Sequence, residues 1–397
     1  MAVRNGARSG IAILADDLTS AGDGAAPFRR AGHDARILLA TPAAPPGPGT
    51  SVIAVDTGSR GLDEEAAVGR TRQAAHLFAG SGLLLKTVDS TLRGHVTAEV
   101  SAAWAASGRR AVVIAPAFPA EGRVTVEGVQ YVRGVPVHDS DFARDPVHPV
   151  GCSDLTALFP QAVLAGPGHA VELPRLIGDG GLIVWSAATD GDLDRLVAAV
   201  PYPDDVLWAG SPGLAAALAR RYARAAGSTT PIPTPARRPL VVVGSVNPAT
   251  RRQLTTLRSR PDVEGVTVGG DPASAVRTLR GLTAPILTVQ SPGERHTPQT
   301  ARTLARSLTA VVRALIEDRT VDALVVTGGE TAAAVLRPLG ATGIDLLDEP
   351  EPGVARGTVL GQFPLPVLIK AGGFGDDALL LRLCRLVRHP LTPGEHT

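Results

Sequence analysis

The sequence predicts an α/β protein built as two three-layer domains, each with a largely parallel sheet between helices. Two observations predict it. Short apolar runs alternate with amphipathic stretches along most of the chain, the pattern of strands buried on both faces and covered by helices. That alternation gives way at residues 227–239 (GSTTPIPTPARRP) to a proline-rich stretch, and then restarts. A chain of 397 residues has length for two full cores.

In the first half, strands are expected at 11–15, 36–39, 52–55, 83–88, 111–115, 181–185 and 206–209, because each is a short apolar run bounded by polar or glycine residues. Helices are expected at 63–78, 95–106, 191–200 and 212–225. Asp63 and Pro212 are natural helix starts, at the cap and in the first turn. Residues 116–149 show no clear period and are expected to cross a face or line a cleft. The four prolines of 227–239 predict a stiff, extended linker. The expected organisation is therefore an N-terminal domain at 1–226, a linker at 227–239 and a C-terminal domain at 240–397. In the latter, strands are expected at 240–244, near Val266 and Ile286, and at 323–327 and 367–370. Helices are expected at 249–257, about 298–319, about 330–336 and 376–387. Both domains read as Rossmann-like.

Composition narrows the function. Charged residues make up 19% and hydrophobic residues 44%, with a formal net charge of +1. That balance, with aromatics at 3%, argues against a nucleic-acid binder. Two cysteines, Cys152 and Cys384, cannot make a disulfide framework, which fits a reducing, cytoplasmic setting. No apolar run approaches the ~20 residues of a membrane span, and the first ten residues do not read as a secretory signal. Only two of the 39 basic residues are lysines, Lys86 and Lys370. Where lysine is otherwise replaced by arginine, a surviving lysine points to a need for the compact ammonium head; chance survival is the plain alternative.

Three motifs in the first half carry chemistry. IAILADDLTSAGD runs a buried strand into Asp16 and Asp17, then a helix. Carboxylates at a strand's carboxyl end can hold a sugar hydroxyl, act as a base or bind a metal, whereas a single one would read as a helix cap. LLLKTVDSTLRG places Lys86, Asp89, Ser90 and Arg93 around the next such strand end. Lys86 and Arg93 are expected to neutralise a carboxylate; Asp89 and Ser90 are expected to bond hydroxyls. APAFPAEGR brings Arg123 to the same edge as a further anion contact, or as part of a plain turn. His138 and His148 match no metal spacing and are expected to be surface or structural.

The second half carries three glycine-rich strand ends: GSVNPAT with Ser245, TGGET with Gly328, Gly329, Glu330 and Thr331, and KAGGFG with Gly372 and Gly373. Each offers backbone N–H groups at a helix start, where an anion binds; close helix–strand packing is the alternative for any one of them. Neither GxxxxGK[ST] nor GxGxxG is present. The absent dinucleotide fingerprint counts against a nucleotide-dependent oxidoreductase. Three phosphate-type loops count against a non-catalytic sugar-acid sensor.

The six motifs in this order, DDLTSAGD, KTVDSTLRG, PAFPAEGR, GSVNPAT, TGGET and KAGGFG, resemble the four-carbon acid sugar kinase family over nearly the whole chain. The resemblance implies ATP-dependent phosphorylation of threonate, erythronate or 3-oxo-tetronate at the terminal hydroxyl. It implies an acid site near Asp17, Lys86, Asp89 and Arg93, and an ATP site near Ser245, Gly328 to Thr331 and Gly373. On that reading Asp17, with Asp16 second, orients the hydroxyl and removes its proton, and Mg²⁺ bridges the ATP phosphates. Closure of the domains would then exclude water from the reaction. The metal ligands are left open, and a homodimer is the expected assembly on base rates. Ser20, Thr87, Ala371 and Glu330 depart from residues frequent in the family.

Overall fold

The computed structural model describes residues 10–47, 49–145, 148–224, 234–244, 246–293 and 297–390. The chain divides into two compact units, residues 1–227 and 228–397. Ser245 and most of the expected linker lie outside the described residues.

The first unit begins with β1 (Ile11–Ala15), α1 (Leu18–Arg30), β2 (Ala35–Leu38), β3 (Val52–Asp56), α2 (Glu64–Leu77), β4 (Leu83–Thr87), α3 (Val96–Ser107) and β5 (Ala111–Ala115). Next come three short strands, β6 (Arg123–Val126), β7 (Val129–Val132) and β8 (Val135–Pro136). The unit ends with α4 (Leu155–Leu158), β9 (Val163–Ala165), α5 (Leu173–Asp179), β10 (Gly181–Trp185), α6 (Asp190–Ala199), β11 (Val206–Gly210) and α7 (Pro212–Arg221). Its main sheet has the order β2-β3-β1-β4-β11-β5-β10-β9, and every pairing in it is parallel.

The apolar runs become central strands for a simple reason. All five residues of β1 are buried, so neither face can be polar. Side chains alternate between faces. Ala12 and Leu14 join Ala74 and Ala75 of α2 and Val100 and Ala103 of α3 in one core. Ile13 points the other way, against Gly24 of α1. The larger of these, Leu14, Ile13 and Val100, each contribute roughly 1.5–3 kcal/mol on burial. Asp63 caps α2, accepting from the Ala66 N–H at 2.9 Å.

The second unit comprises β12 (Pro239–Val243), α8 (Pro248–Arg258), β13 (Val263–Thr267), α9 (Pro272–Gly281), β14 (Ile286–Gln290), α10 (Pro298–Glu317), β15 (Ala323–Thr327) and α11 (Gly329–Leu336). It ends with β16 (Ala341–Glu351), β17 (Val354–Gly361), β18 (Pro366–Lys370) and α12 (Leu379–Arg388). Its strand order is β13-β14-β12-β15-β18-β17-β16. The first five are parallel, and β16 and β17 form an antiparallel hairpin beside β18. Leu254 and Leu257 of α8 share a core with Val241, Val325 and Leu368 of the sheet and Leu380 and Leu383 of α12.

The largely parallel α/β architecture agrees with the sequence expectation, and three details correct it. The hairpin β16–β17 was not expected. The region 116–149, expected to cross a face or line a cleft, carries the small sheet β6-β7-β8. The last helix starts at Leu379, three residues later than expected, because Asp376 accepts from the Ala378 N–H and holds a turn there.

In each sheet the first strand is flanked on one side by strands that follow it directly and on the other by later ones. In the first unit β1 lies between β3 and β4; in the second, β12 lies between β14 and β15. Such switch points open a crevice beyond the carboxyl ends of the strands, where ligands bind in open α/β sheets.

Candidate functional site

In the first unit the registers align Ala15 with Asp56, and Leu14 with Lys86. The residues that follow β1, β3 and β4 therefore emerge side by side. Asp17 ends β1's exit as the N-cap of α1: one carboxylate oxygen accepts from the Ser20 N–H at 2.7 Å and from the Thr19 hydroxyl at 2.9 Å. Its other oxygen accepts from Arg60. Arg60, in the turn after β3, also grips Asp16 with two parallel bonds, Nε to Oδ2 at 2.7 Å and Nη2 to Oδ1 at 2.9 Å. This fork-to-fork pairing is the strong form of an arginine–carboxylate contact. Burial pushes the Asp16 carboxyl up, but the charges of Arg60 and Lys86 outweigh it and hold it below the usual range.

Lys86 is 2% exposed and pairs with Glu99 of α3, Nζ to Oε2 at 2.7 Å. It also donates to the Thr87 carbonyl at 2.8 Å. Asp89 accepts from Arg93 Nε at 2.8 Å and Nη2 at 3.2 Å, and from the Thr91 hydroxyl. Burial alone would raise Asp89; Arg93 reverses the sign and holds it far below the ordinary value. Arg93 lies over the Phe142 ring at 5.3 Å and stays 30% exposed. Gly94 has φ +89°, and a Cβ there would lie 3.4 Å from Asp16 Oδ2, so glycine keeps this wall close to the carboxylate.

Asp16, Lys86, Asp89, Arg93, His95 and Glu99 line one small cleft of about 10 Å³ at this edge. Asp17 is not in its lining. Ser90 and Arg123 pair beside it, Nη1 to Oγ at 2.6 Å. Gln130 of β7 donates to the Ser90 carbonyl at 2.8 Å, which brings the small sheet against this edge. His148 meets His95 edge to face, and His138 bonds Ser153. Among the described residues no group of three or more His, Cys, Asp or Glu could hold a metal ion.

Two residues here escaped the sequence reading. Arg60 sits in DTGSRGLD, another strand running into polar residues, and the rule applied to β1 and β4 picks it out as well. Glu99 is detectable only through Lys86: an ammonium in an apolar strand needs a buried counter-ion.

In the second unit β12, β15 and β18 are neighbours, with Val243 opposite Thr327 and Thr327 opposite Lys370. Gly244, Gly328 and Gly372 thus follow three adjacent strand ends. Gly328 takes φ +85° at the start of α11 and donates to the Lys370 carbonyl at 2.8 Å. Glu330 and Thr331 occupy the first turn of that helix. Lys370 is fully buried, and its Nζ donates to the Thr250 hydroxyl at 3.2 Å and the Gly372 carbonyl at 2.9 Å. Burial lowers its pKa to about 8. Thr250 also donates to Gly372 O at 2.7 Å, and Gln253 donates to the carbonyls of Phe374 and Gly375. The loop 371–375 is therefore pinned through its carbonyls. Gly373 lies in this loop, beside Asn247, whose side chain caps α8.

Comparison with known proteins accords with this division of labour. A family model described as a sugar-binding N-terminal domain matches residues 11–218, and one described as a nucleotide-binding C-terminal domain matches residues 240–380. A D-threonate kinase of Bordetella bronchiseptica is 36% identical over 95% of this chain and 97% of its own length. A D-erythronate kinase of Heliobacterium modesticaldum is 28% identical over 93% and 95%. A solved structure from Salmonella typhimurium LT2, 22% identical, superposes with a TM-score of 0.79 over 95% of this chain and 99% of that one, which establishes the fold. Among the described residues no helix is long and apolar enough to cross a membrane. A sugar-binding domain followed by a nucleotide-binding one, aligned nearly end to end with kinases, makes this chain a member of the four-carbon acid sugar kinase family.

Proposed function

We propose that this kinase uses ATP to phosphorylate the terminal hydroxyl of a four-carbon sugar acid, with D-threonate the first candidate. Three relatives 31–36% identical carry the name D-threonate kinase, while D-erythronate and 3-oxo-tetronate kinases lie at 28% and below. The observation that carries the reading is the pairing of a charged cleft at one switch point with three glycine strand ends at the other.

On the acid side, Arg93 is the half-exposed cation suited to the substrate carboxylate, with Arg123 and Ser90 beside it. Lys86 supports the cleft through Glu99 and through its charge on Asp16, rather than as a free anchor. Asp16 is the better candidate to orient and accept from the reacting hydroxyl, since it lines the cleft and Asp17 does not. A carboxylate held this acidic is a weak base. That is tolerable, because phosphoryl transfer depends mainly on positioning and charge stabilisation.

On the nucleotide side, backbone N–H groups at Gly329–Thr331 and Gly372–Gly373 are suited to the ATP phosphates, with Gly328 shaping the turn, and Ser245 is proposed as a further contact. With no carboxylate cage among the described residues, the donor set fits Mg²⁺ carried largely by the phosphates. When bound, Mg²⁺ would neutralise charge on the transferring phosphoryl group. A homodimer and a cytoplasmic setting remain part of this reading.

ADP release with Mg-ATP, measured against D- and L-threonate, D- and L-erythronate and the 3-oxo acids, tests it. Strong turnover with one acid supports it. ATP binding without turnover on any acid moves the substrate outside this class, and no ATP binding ends the reading.

A further inference from the structure

Glu99 holds an unusual position. It is 3% exposed, and one oxygen, Oε2, pairs with Lys86 at 2.7 Å. The other, Oε1, is buried without any hydrogen-bond partner among the described residues. Leaving a buried carboxylate oxygen unpaired is costly, and such a group calls for a donor. Glu99 forms part of the wall of the small cleft that also exposes Asp16 and Asp89. The space there, about 10 Å³, is close to that of a single oxygen atom with its hydrogens.

The chemistry of the wall restricts what that oxygen can be. Arg60 holds Asp16, and Arg93 holds Asp89, in the acceptor-only carboxylate form. Glu99 pairs directly with the Lys86 ammonium. Lys86, Arg93 and His95 share the lining and can meet an acceptor elsewhere, but a group that meets Glu99 Oε1 must donate. An alcohol does so; a ketone oxygen brings only lone pairs against lone pairs. Resting on the kinase reading, we propose that Glu99 is a specificity-determining residue: its free oxygen accepts from a secondary hydroxyl of the acid, selecting dihydroxy acids over the corresponding 3-oxo acids. A site built to bond a substrate hydroxyl discriminates strongly against the analogue lacking it, because its own polar group is then stranded.

The test combines substrates and variants on the full-length enzyme. With wild type, kcat/KM for the preferred tetronate should exceed that for its 3-oxo counterpart by at least about 100-fold. One of the 2-deoxy and 3-deoxy analogues should lose a similar factor, and the other little. Glu99→Gln offers an amide N–H₂ that can donate to a ketone, so the hydroxy-to-oxo ratio should fall at least about tenfold. Equal losses on both acids would make Glu99 a purely structural partner of Lys86 and overturn the proposal. An ordered water filling the cleft, with neither deoxy analogue impaired, would overturn it too. Should Glu99→Gln fail to fold, the wild-type deoxy series decides alone. Calorimetric binding separates the two readings. Selective binding of the hydroxy acid without ADP release would sink the kinase reading and sustain this one. Turnover with equal kcat/KM for hydroxy and oxo acids would do the reverse.

Discussion

The two units share a winding scheme yet furnish their switch points in opposite ways. Beyond β1, β3 and β4 the crevice is built of charged side chains, tied into pairs: Arg60 with Asp16 and Asp17, Lys86 with Glu99, Arg93 with Asp89. Beyond β12, β15 and β18 it is built of glycine and main chain, with a lone buried ammonium beneath. Side chains fixed by salt bridges can tell one hydroxyl or carboxylate position from another. Main-chain N–H groups suit a phosphate chain that every kinase of this kind shares. A shared arrangement of the first four strands thus carries charged side chains in one unit and glycine main chain in the other, and that difference lies in the residues just past the strands.

The largest expected effect breaks the charged edge. Arg60→Met leaves two buried carboxylates without their cation, and urea unfolding should show a loss of about 3–5 kcal/mol. Arg60→Lys should not restore the parent, because an ammonium cannot make the paired bonds seen to Asp16. A loss under about 1 kcal/mol would mean the pairing is incidental. Next, Asp16→Asn should lower kcat by about 100- to 1,000-fold while ATP KM stays near its parent value. A larger loss in Asp17→Asn than in Asp16→Asn would return the reacting role to Asp17.

Gly328→Ala attacks the other edge. A side chain at φ +85° costs about 1–2 kcal/mol, and ATP KM should rise several-fold with acid KM little changed. If acid KM moves equally, the two edges are not separate in function. The smallest effect concerns Lys370. Its ammonium is charged below about 8 and neutral above, so ATP should bind about fivefold more weakly as pH rises through that value. Lys370→Met should flatten the profile. Between about 8 and the ordinary 10.5 the folded protein binds fewer protons than the unfolded chain, so this group's contribution to stability rises across that window.

Much of this was legible before the fold was seen. Asp16, Lys86 and Arg93 were read correctly as strand-end residues because apolar runs stop at them abruptly. The glycine ends of β15 and β18 were read the same way. What stayed hidden depended on partners distant in sequence. That Asp17 caps α1 and also meets Arg60 requires residues 43 positions apart to touch. Glu99 reads as an ordinary first-turn acid until Lys86 is placed beneath it. The hairpin β16–β17 was missed because its charges, prolines and register shifts blur the alternation that marks a strand.

The two lysines carry a practical consequence. Lys86 is 2% exposed and Lys370 is closed off completely, so a folded molecule presents no accessible lysine side chain to an amine-reactive reagent. Succinimidyl dyes and aldehyde cross-linkers should leave Lys86 and Lys370 untouched while the protein is intact. Each lysine modification that does appear would then mark an opening event: at Lys86 in the sugar-binding domain, at Lys370 in the nucleotide-binding one. The chain carries its own pair of reporters, one for each half of its chemistry.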